Sequence, residues 1–365
     1  MMINASAAVL RAKDGPHAVE EVTLDAPGED QIVVRIAAAG FCHSDVLPRA
    51  AEFPVGPPVI TGHEGAGVVE WRGSDVSGIE VGDHVVLSFA SCATCQECAG
   101  RHPAYCETFT ERNLFGRSAA GGSGATDAAG EPVMARWFGQ SSFATKAVVD
   151  ANNAVVVDRD LPLDVLAPLG CGMITGAGSV LNVLQVQPGT SIAIFGTGSV
   201  GLAALLAAKA AGAESIIAVD LHPSRLDLAA ELGATATVLG GDKDVVEQIR
   251  KHTGRGAHYS FDTTGVPAVI LSAIQCLRAR GTCALVGVQT GDVVLDGNVL
   301  LGKQLGSVVE GDADPRTFIP HLIKLWRDGR FPFDRLIEKY PFAAINEAER
   351  ASLEGRTVKP VLVMD

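Results

Sequence analysis

The spacing of apolar residues changes close to residue 170, and this change predicts two kinds of structure. Before that point, apolar residues occur in short runs bounded by Gly, Pro, Asp and Ser, which is typical of β-strands joined by turns. The predicted strands are residues 19–24, 31–38, 55–60, 68–71 and 84–87, with prolines interrupting the third. The first part of the chain is therefore predicted to be β-rich.

After residue 170, buried strands alternate with helices. The predicted strands are residues 191–195, 216–219, 234–239, 258–262 and 282–288. The predicted helices are residues 200–211, 225–232, 245–252, 268–277 and 315–326. This alternation predicts an α/β fold with a doubly wound parallel sheet.

Two segments lack a clear period. Residues 116–136 are rich in Gly, Ala and Ser, which predicts a mobile surface loop. Residues 165–208 carry no charged side chain, but Pro168, Pro188 and several glycines interrupt them. A membrane-spanning helix needs about 20 consecutive apolar residues. The second segment is therefore expected to form two buried elements around a turn at residues 187–189.

The composition narrows the class of protein. The chain has 365 residues, of which 47% are hydrophobic and 19% charged, so it can form two domains of ordinary size. Its net charge of −13 argues against nucleic acid and against an anionic membrane surface as partners. The first residues show no secretory signal, and the eight cysteines show metal-like spacing. A reducing, cytoplasmic setting is expected.

Half of the cysteines occur in a single run, C-x2-C-x2-C-x7-C. They are Cys92, Cys95, Cys98 and Cys106. Four thiolates around a tetrahedral zinc ion form a closed structural site, whereas disulfides between cysteines two residues apart would be strained. The long last gap also departs from the spacing of a ferredoxin iron–sulfur cluster. The run predicts structural zinc.

A second motif predicts a dinucleotide site. Gly196, Gly198 and Gly201 form G-x-G-x-x-G between an apolar strand and an apolar helix, which is the context that the fingerprint requires. Asp220 lies 19 residues after Gly201, at the end of the next strand. A carboxylate there is expected to bind both ribose hydroxyls and to repel a 2′-phosphate, which favours NAD over NADP. Arg225 is expected to pack over the ribose or to be solvated.

The four remaining cysteines cannot be interpreted from spacing alone. Cys276 and Cys283 are predicted to be small core residues. Cys42 opens a Cys-His-Ser-Asp box, and Cys171 lies between two glycines. His63 is a third candidate ligand, but it is 21 residues from Cys42 and 108 from Cys171. Each of the three taken separately is more often structural.

The run Gly62-His63-Glu64-Gly65-Ala66-Gly67, followed by Gly73 and Val76, resembles the signature of the zinc-dependent medium-chain alcohol dehydrogenases. The four-cysteine run, the Cys-His-Ser-Asp box and the fingerprint ending in Asp220 occur in that family's order. The segments at residues 104–106, 140–145 and 168–172 are most similar to the aryl-alcohol (benzyl alcohol) dehydrogenase branch. The resemblance implies a GroES-like catalytic domain, residues 1–171 and 310–365, around a Rossmann NAD-binding domain, residues 172–309.

The resemblance also implies roles around a catalytic zinc. Cys42, His63 and Cys171 would hold the ion and leave a fourth position open for water or alcohol. Asp45 would fix the tautomer of His63. Glu64 would either approach the metal or form a structural ion pair.

Ser44 would take the proton of the alcohol. Well-known members carry a histidine three residues later, where this chain has Leu47. The proton would therefore pass to solvent or to His43, which matches a position where relatives place a basic residue against the cofactor pyrophosphate.

Further residues match single positions of the family. Thr175 and Val200 would line the nicotinamide, and Lys359 would reach the pyrophosphate, unless it is simply a solvated lysine near the C-terminus. Phe89, Trp137 and Phe138 are candidates for an aromatic substrate pocket, although core packing would equally explain them.

The predicted function is reversible, NAD-dependent oxidation of a primary aryl or allylic alcohol to its aldehyde, through zinc-assisted alkoxide formation and hydride transfer. The alternatives are a formaldehyde–thiol-adduct dehydrogenase or a broad aliphatic alcohol dehydrogenase of the same fold. A non-catalytic zinc and NAD-binding regulator is a further class. Two zinc ions per chain, a small-molecule substrate and a homodimer or homotetramer are expected, with no nucleic-acid or membrane partner.

Overall fold

A computed structural model describes residues 2–116 and 122–364 of the chain, which divides into two units. The first unit contains Met1–Cys171, Asp314–Pro320 and Leu336–Asp365. The second contains Gly172–Ala313 and His321–Arg335. The break after Cys171 coincides with the predicted domain boundary. Residues 310–313 and His321–Arg335, however, belong to the second unit, although the sequence prediction placed residues 310–365 in the catalytic domain.

The first unit is built mainly from antiparallel strands. Its first ten strands are β1 (Ile3–Leu10), β2 (His17–Leu24), β3 (Gln31–Gly40), β4 (Val59–Ile60), β5 (Gly65–Arg72), β6 (His84–Leu87), β7 (Gly124–Asp127), β8 (Pro132–Met134), β9 (Lys146–Asp150) and β10 (Ala154–Val157). Strands β1, β2, β7, β8 and β4 close into a barrel. Strand β3 is the central element of a second sheet, because it pairs with both β5 and β9.

The second unit contains the predicted parallel sheet. Its strands are β11 (Ser191–Phe195), β12 (Ser215–Asp220), β13 (Ala236–Leu239), β14 (Ala257–Asp262), β15 (Leu277–Leu285) and β16 (Gln304–Ser307). They pair in the order β13-β12-β11-β14-β15-β16, and every pairing is parallel. This is the doubly wound order of dinucleotide-binding sheets, whose ligands bind at the carboxyl ends of the strands.

The chain then returns to the first unit for its last two strands, β17 (Ile337–Pro341) and β18 (Lys359–Val363). They pair with each other in parallel, and β18 pairs antiparallel with β3 through Val361 and Gly40. The sheet order is therefore β10-β6-β5-β3-β18-β17. Strand β18 thus lies beside the end of β3, close in sequence to the candidate metal ligand Cys42.

The described residues form ten α-helices. They are α1 (Gln96–Ala99), α2 (Phe109–Asn113), α3 (Leu163–Leu166), α4 (Gly172–Gly178), α5 (Ser199–Ala210), α6 (Pro223–Leu232), α7 (Val245–Thr253), α8 (Pro267–Gln275), α9 (Pro315–Arg327) and α10 (Ile345–Leu353). Helix α5 begins within the glycine fingerprint, at Ser199, and α6 ends at Gly233 as predicted.

Several sequence predictions of local structure were wrong. Part of the predicted loop at residues 116–136 forms strands β7 and β8, and residues 117–121 of that prediction lie outside the described residues. Only Val59–Ile60 of the predicted strand 55–60 is extended in a sheet, because prolines cannot donate ladder hydrogen bonds. Strand β15 begins at Leu277, earlier than predicted, and continues through the half-buried Arg278 and the exposed Ala279 and Arg280.

The uncharged segment at residues 165–208 is mostly buried within the protein. It forms several elements, namely helix α4, strand β11, helix α5 and short irregular helices, whereas two were predicted. Among the described residues, no single helix is long and apolar enough to cross a membrane, and one bent pair of short helices meets that test by length and composition only.

Candidate metal and cofactor sites

Three candidate ligands that are distant in sequence meet in the first unit. Cys42 lies two residues after the end of β3, His63 lies between β4 and β5, and Cys171 precedes α4. Their ligand atoms all lie within 4.8 Å of one another. The pairing of β3 with β5 places the first two segments side by side. Two sulfur atoms and one imidazole nitrogen thus converge at one point.

Asp45 orients this site through three hydrogen bonds. Its carboxylate lies 2.7 Å from Nδ1 of His63, and it accepts the backbone N–H groups of Gly62 at 2.8 Å and Cys42 at 3.1 Å. Nε2 of His63 is buried and has no hydrogen-bond partner among the described residues. A buried ring nitrogen without a partner fits a metal ligand whose tautomer is fixed from the other side.

The ionisation of the three residues also fits a metal. The hydrogen bond from Cys171 lowers the pKa of Cys42, and His63 lowers it further, although burial opposes this shift. Burial acts to lower the pKa of His63, but Asp45 and Cys42 outweigh burial and raise it. Because zinc binds thiolates and neutral imidazole, binding would displace a proton from His63. Two thiolates and one imidazole form a donor set that suits zinc with an open fourth position.

Glu64 forms a buried ion pair with Lys359. Both oxygens of its carboxylate accept hydrogen bonds from Nζ of Lys359, at 2.9 and 2.8 Å. The same ammonium donates to the backbone carbonyl of Phe41 at 3.1 Å. An ammonium has three donors, and here all three are used. Burial raises the pKa of Glu64, and the charge of Lys359 opposes that shift.

The position of Lys359 therefore corrects the sequence prediction. Its side chain is fully buried, so it is neither a solvated lysine near the C-terminus nor left with a donor for the cofactor pyrophosphate. Of the two alternatives for Glu64, the structure contains the ion pair.

His43, Ser44 and Leu47 lie on the short 3-10 helix His43–Arg49, which begins after Cys42. His43 is exposed, whereas Ser44 and Leu47 are half-buried. Ser44 therefore follows Cys42 by two residues on a segment fixed by the hydrogen bond of Asp45 to Cys42.

The four-cysteine run forms a second cluster in the same unit. The sulfur atoms of Cys92, Cys95, Cys98 and Cys106 lie within 4.8 Å of one another. Burial opposes ionisation of Cys92, but N–H groups of Thr94 and Cys95 outweigh it and bring the pKa of Cys92 to about 5. Thiolates stabilised by backbone N–H groups are suited to binding a metal, and four of them leave no position open for a substrate.

The glycine fingerprint lies in the second unit and extends from the end of β11 into the first turn of α5. Gly196 has φ of +85°, and a side chain at Gly201 would come within 1.8 Å of the carbonyl oxygen of Gly196. The space beside Gly198 is open, and this residue is the N-cap of α5. Backbone N–H groups at the start of a helix bind phosphates, so this opening fits a pyrophosphate.

Asp220 ends β12 and is buried. Its Oδ2 accepts hydrogen bonds from the N–H of Thr197 at 2.6 Å and from its hydroxyl at 2.9 Å, while Oδ1 accepts the N–H of His222 at 2.9 Å. A carboxylate has about four acceptor positions, so roughly one stays available for a ribose hydroxyl rather than the two expected. The nearest guanidinium nitrogen of Arg225 lies 4.0 Å from Oδ2.

Comparison with known proteins identifies the family. Residues 28–159 match the alcohol dehydrogenase GroES-like domain, and residues 199–318 match the zinc-binding dehydrogenase domain. The chain is 47% identical to geraniol dehydrogenase of Castellaniella defragrans, over 99% of this chain and 98% of the relative. This chain belongs to the zinc-dependent alcohol dehydrogenase family.

Two solved structures of such alcohol dehydrogenases match the full chain. An alcohol dehydrogenase zinc-binding domain protein from Burkholderia ambifaria has a TM-score of 0.97 and 46% identity. Benzyl alcohol dehydrogenase from Acinetobacter calcoaceticus has a TM-score of 0.95 and 40% identity. Each comparison covers 100% of both chains. The resemblance, the fold class and the enzyme class predicted from sequence are therefore confirmed, and family membership implies zinc and a nicotinamide dinucleotide.

In this alcohol dehydrogenase, Thr175 is tied to a residue that sequence reasoning missed. Its hydroxyl donates to Oε2 of Glu310 at 3.1 Å, and both residues are buried in the second unit. Glu310, Gly311 and Asp312 all have positive φ, between 47° and 68°. Val200 is half-buried on the first turn of α5. No local sequence pattern indicated Glu310.

Aromatic residues of the alcohol dehydrogenase are packed more tightly than an open pocket would require. Phe89, Trp137 and Phe138 are at most 5% exposed. Phe89 packs against Phe109, with ring centroids 5.7 Å apart, and Phe138 stacks on His63. Core packing therefore describes Phe89 and Trp137 in the first unit, whereas the Phe138 ring lies on a candidate metal ligand.

Proposed function

We propose that this enzyme oxidises primary allylic or aryl alcohols to aldehydes, with NAD as the cofactor. The observation that carries the proposal is the convergence of Cys42, His63 and Cys171 around an unpartnered Nε2. The substrate class comes from the relatives, which are named for geraniol, an allylic alcohol, and for benzyl alcohol, an aryl alcohol. The balanced reaction converts the alcohol and NAD to the aldehyde, NADH and one proton.

The protein's residues divide the work of this reaction. Zinc held by the three ligands would supply the Lewis acidity that lowers the pKa of the alcohol hydroxyl, and NAD would accept the hydride. Asp45 keeps Nε2 of His63 directed at the metal position. Ser44 takes the proton of the alcohol hydroxyl, since its short segment is fixed beside Cys42.

From Ser44 the proton cannot pass through residue 47, where well-known family members have a histidine, because leucine cannot carry a proton. His43 is exposed and adjacent to Ser44, which suits a group that exchanges protons with water. We assign His43 this step and, by family resemblance, contact with the cofactor pyrophosphate. A shift of the pH–rate profile in His43→Ala distinguishes this route from direct transfer to solvent.

The preference for NAD rests mainly on charge. The buried carboxylate of Asp220 would lie beside the 2′ position of the ribose, where it repels a phosphate. Its N–H partners, Thr197 and His222, hold the carboxylate in one orientation. Arg225 lies close enough to Asp220 to be paired with it rather than available to a 2′-phosphate.

The two cysteine-containing clusters would hold two zinc ions per chain. The four-cysteine cluster would be structural, because its ligands saturate a tetrahedral ion. The mixed cluster would be catalytic. Asp45 and Glu64 support this second site from one side, and Lys359 neutralises Glu64 there.

Association into a homodimer or homotetramer is also part of the proposal. Strand β16 is an exposed edge of the parallel sheet, with apolar Leu301 and Leu305 exposed beside or within it. Unpaired edge strands of this kind readily pair with a second copy. A cytoplasmic location stays a prediction from the sequence.

A substrate panel tests the function. Geraniol, benzyl alcohol, ethanol and the glutathione adduct of formaldehyde should be compared as substrates, each with NAD and with NADP at equal concentration. We expect the highest kcat/KM with geraniol or benzyl alcohol and NAD. Faster turnover of the thiol adduct or of ethanol would instead favour one of the alternative enzymes.

A further inference from the structure

The backbone around Phe138 adopts a conformation that bulky residues rarely take. Phe138 has φ of +50° and ψ of 33°, and Ser141 has φ of +47°. A left-handed backbone at an aromatic residue is strained, and such strain persists only where surrounding contacts fix it. Strained segments of this kind cluster at functional sites. The strained backbone therefore suggests that the contacts of the Phe138 ring have a functional role.

The ring of Phe138 lies flat on the imidazole of His63. The two centroids are 4.3 Å apart, and the planes differ by 23°. The Trp137 ring packs edge-on against Phe138, with centroids 5.4 Å apart and planes at 67°. Phe138 is only 5% exposed. The Phe138 ring thus covers one face of the His63 imidazole, and the Trp137 ring packs against Phe138.

The same segment also holds the backbone that carries His63. The side-chain amide of Gln140 donates to the carbonyl of His63 at 2.9 Å, and its oxygen accepts the N–H of Gly65 at 3.1 Å. The N–H of Ser142 donates to the carbonyl of Gly62 at 2.8 Å. Residues 138–142 therefore contact the His63 segment through both hydrogen bonds and a ring.

Ser141 fixes the turn that directs Phe138. Its hydroxyl accepts the N–H of Trp137 at 2.8 Å and donates to the carbonyl of Ile60 at 2.6 Å. These bonds hold the strained turn on the strand that precedes His63, because Ile60 ends β4. The strain is thus maintained by contacts on the side of the candidate metal site.

We infer that Phe138 is a positioning residue for the catalytic metal. The hydrogen bond between Asp45 and Nδ1 fixes which nitrogen of His63 faces away from the site. A single hydrogen bond at one ring nitrogen still leaves the imidazole plane free to tilt. The stacked Phe138 ring restrains that plane and so aims Nε2 at the sulfur atoms of Cys42 and Cys171. This role rests on the proposed zinc site.

Phe143 provides a matched control within the same segment. It is fully buried and stacks on Phe41, with centroids 5.8 Å apart and planes 8° apart. Its described ring contacts are with Phe41 and His17. Phe143→Leu therefore removes a buried aromatic ring of the same size without removing the ring stacked on His63.

The test compares zinc release from Phe138→Leu, Phe143→Leu and the unaltered enzyme to a chelating dye. We expect two zinc ions per unaltered chain, with the zinc of the four-cysteine cluster as an internal reference. Phe138→Leu should weaken binding of the other zinc by about 10- to 100-fold, which is typical of losing an outer-shell partner. Phe143→Leu should lower the melting temperature while both zinc ions are retained.

Cobalt substitution gives a readout that folding stability alone would not change. The visible absorption of Co²⁺ in the mixed cluster depends on ligand geometry, so Phe138→Leu should shift these bands and Phe143→Leu should not. Phe138→Met, which fills volume without a flat face, should behave as Phe138→Leu does and serves if the leucine variant does not fold. Phe138→Tyr keeps the ring and should restore the unaltered spectrum.

The outcomes separate this inference from the proposed function. If a folded Phe138→Leu or Phe138→Met variant keeps the unaltered zinc affinity and cobalt spectrum, Phe138 is a core residue and the inference is overturned. If the unaltered enzyme holds one zinc that Cys42→Ala does not remove, the second metal site itself is absent. An absent second metal site would overturn both the inference about Phe138 and the proposed function. An unchanged Phe138 variant would overturn only the inference about Phe138.

Discussion

At the scale of single residues, side chains act through neighbours that fix their direction. The Asp45 carboxylate contacts the N–H groups of Cys42 and Gly62 and Nδ1 of His63, so Nε2 of His63 faces the sulfur atoms of the candidate ligands. Thr197 and His222 similarly orient Asp220 in the second unit. Substitutions at these positions should therefore change chemistry more than stability.

The first residue-scale prediction concerns Ser44. Ser44→Ala removes the hydroxyl that takes the substrate proton, so kcat should fall by about 10²-fold or more. The measurement is steady-state oxidation of benzyl alcohol, with zinc content as the control for an intact site. Turnover equal to the unaltered enzyme at full zinc content would remove Ser44 from the reaction.

The second concerns cofactor choice. Asp220→Ser removes the charge that opposes a 2′-phosphate, so the ratio of kcat/KM for NADP to that for NAD should rise about tenfold or more. Asp227→Ser, an exposed acidic position on α6, is the matched control and should leave the ratio unchanged. An unchanged ratio in Asp220→Ser would show that another group selects the cofactor.

At the scale of elements, ion pairs join segments that are far apart in sequence. Arg49 ends the 3-10 helix that follows Cys42, and two of its nitrogens donate to the two oxygens of Glu349 on α10 at 2.8 Å. Lys359 likewise joins β18 to the segment between β4 and β5 through Glu64. Both pairs brace segments adjacent to the candidate metal ligands.

Stability should depend on pH through Glu349. Burial acts to raise its pKa, but His17 and Arg49 outweigh burial and bring it below its usual value of 4.5. The pair therefore stabilises the folded state above pH 4.5, and this contribution is lost as pH falls through the lowered folded-state pKa. Glu349→Gln should lower the free energy of unfolding by about 2 kcal/mol at pH 7.

Urea unfolding of the Glu349→Gln variant at pH 7 and at lower pH measures this effect. The difference from the unaltered enzyme should shrink below pH 4.5, because the unaltered carboxylate then becomes protonated. Glu347→Gln, which alters an exposed acid on the same helix, should show little difference at either pH. A constant difference across pH would indicate a packing effect instead.

Substitutions of Glu64 and Lys359 should have strongly non-additive effects on the free energy of unfolding. Lys359→Met leaves a buried carboxylate without its counter-ion and should cost about 3–5 kcal/mol of unfolding free energy. Glu64→Leu combined with Lys359→Met should be clearly more stable than Lys359→Met alone. Additive effects of the two substitutions in a double-mutant cycle would contradict a direct pair.

Local sequence patterns predicted some elements and not others for a physical reason. Gly196, Gly201 and Asp220 lie within one strand–helix–strand unit, so their spacing carries their geometry. Strands β7 and β8 were missed because their Gly- and Ala-rich residues are extended through pairing with the distant strands β2 and β4. Lys359 was misplaced because its partner, Glu64, is 295 residues away.

At the scale of the whole molecule, the two proposed metal sites both lie in the first unit and differ in kind. The four-cysteine cluster should stabilise the fold, and the mixed cluster should carry the chemistry. Cys106→Ser should therefore lower the melting temperature and the zinc content, whereas Cys42→Ala should abolish activity while one zinc remains. Metal analysis and calorimetry of both variants check this; full activity of Cys42→Ala would contradict it.

The discontinuous first unit has a consequence for synthesis on the ribosome. Strand β18 pairs with β3 and brings Lys359 to Glu64, so the β3 sheet and its buried charge are completed only by the last residues of the chain. Most of the second unit, Gly172–Ala313, emerges before that strand exists. A nascent chain arrested before Lys359 would thus leave Ala38–Gly40 of β3 without their partner strand and Glu64 without its counter-ion, so the first unit is completed only after β18 has emerged.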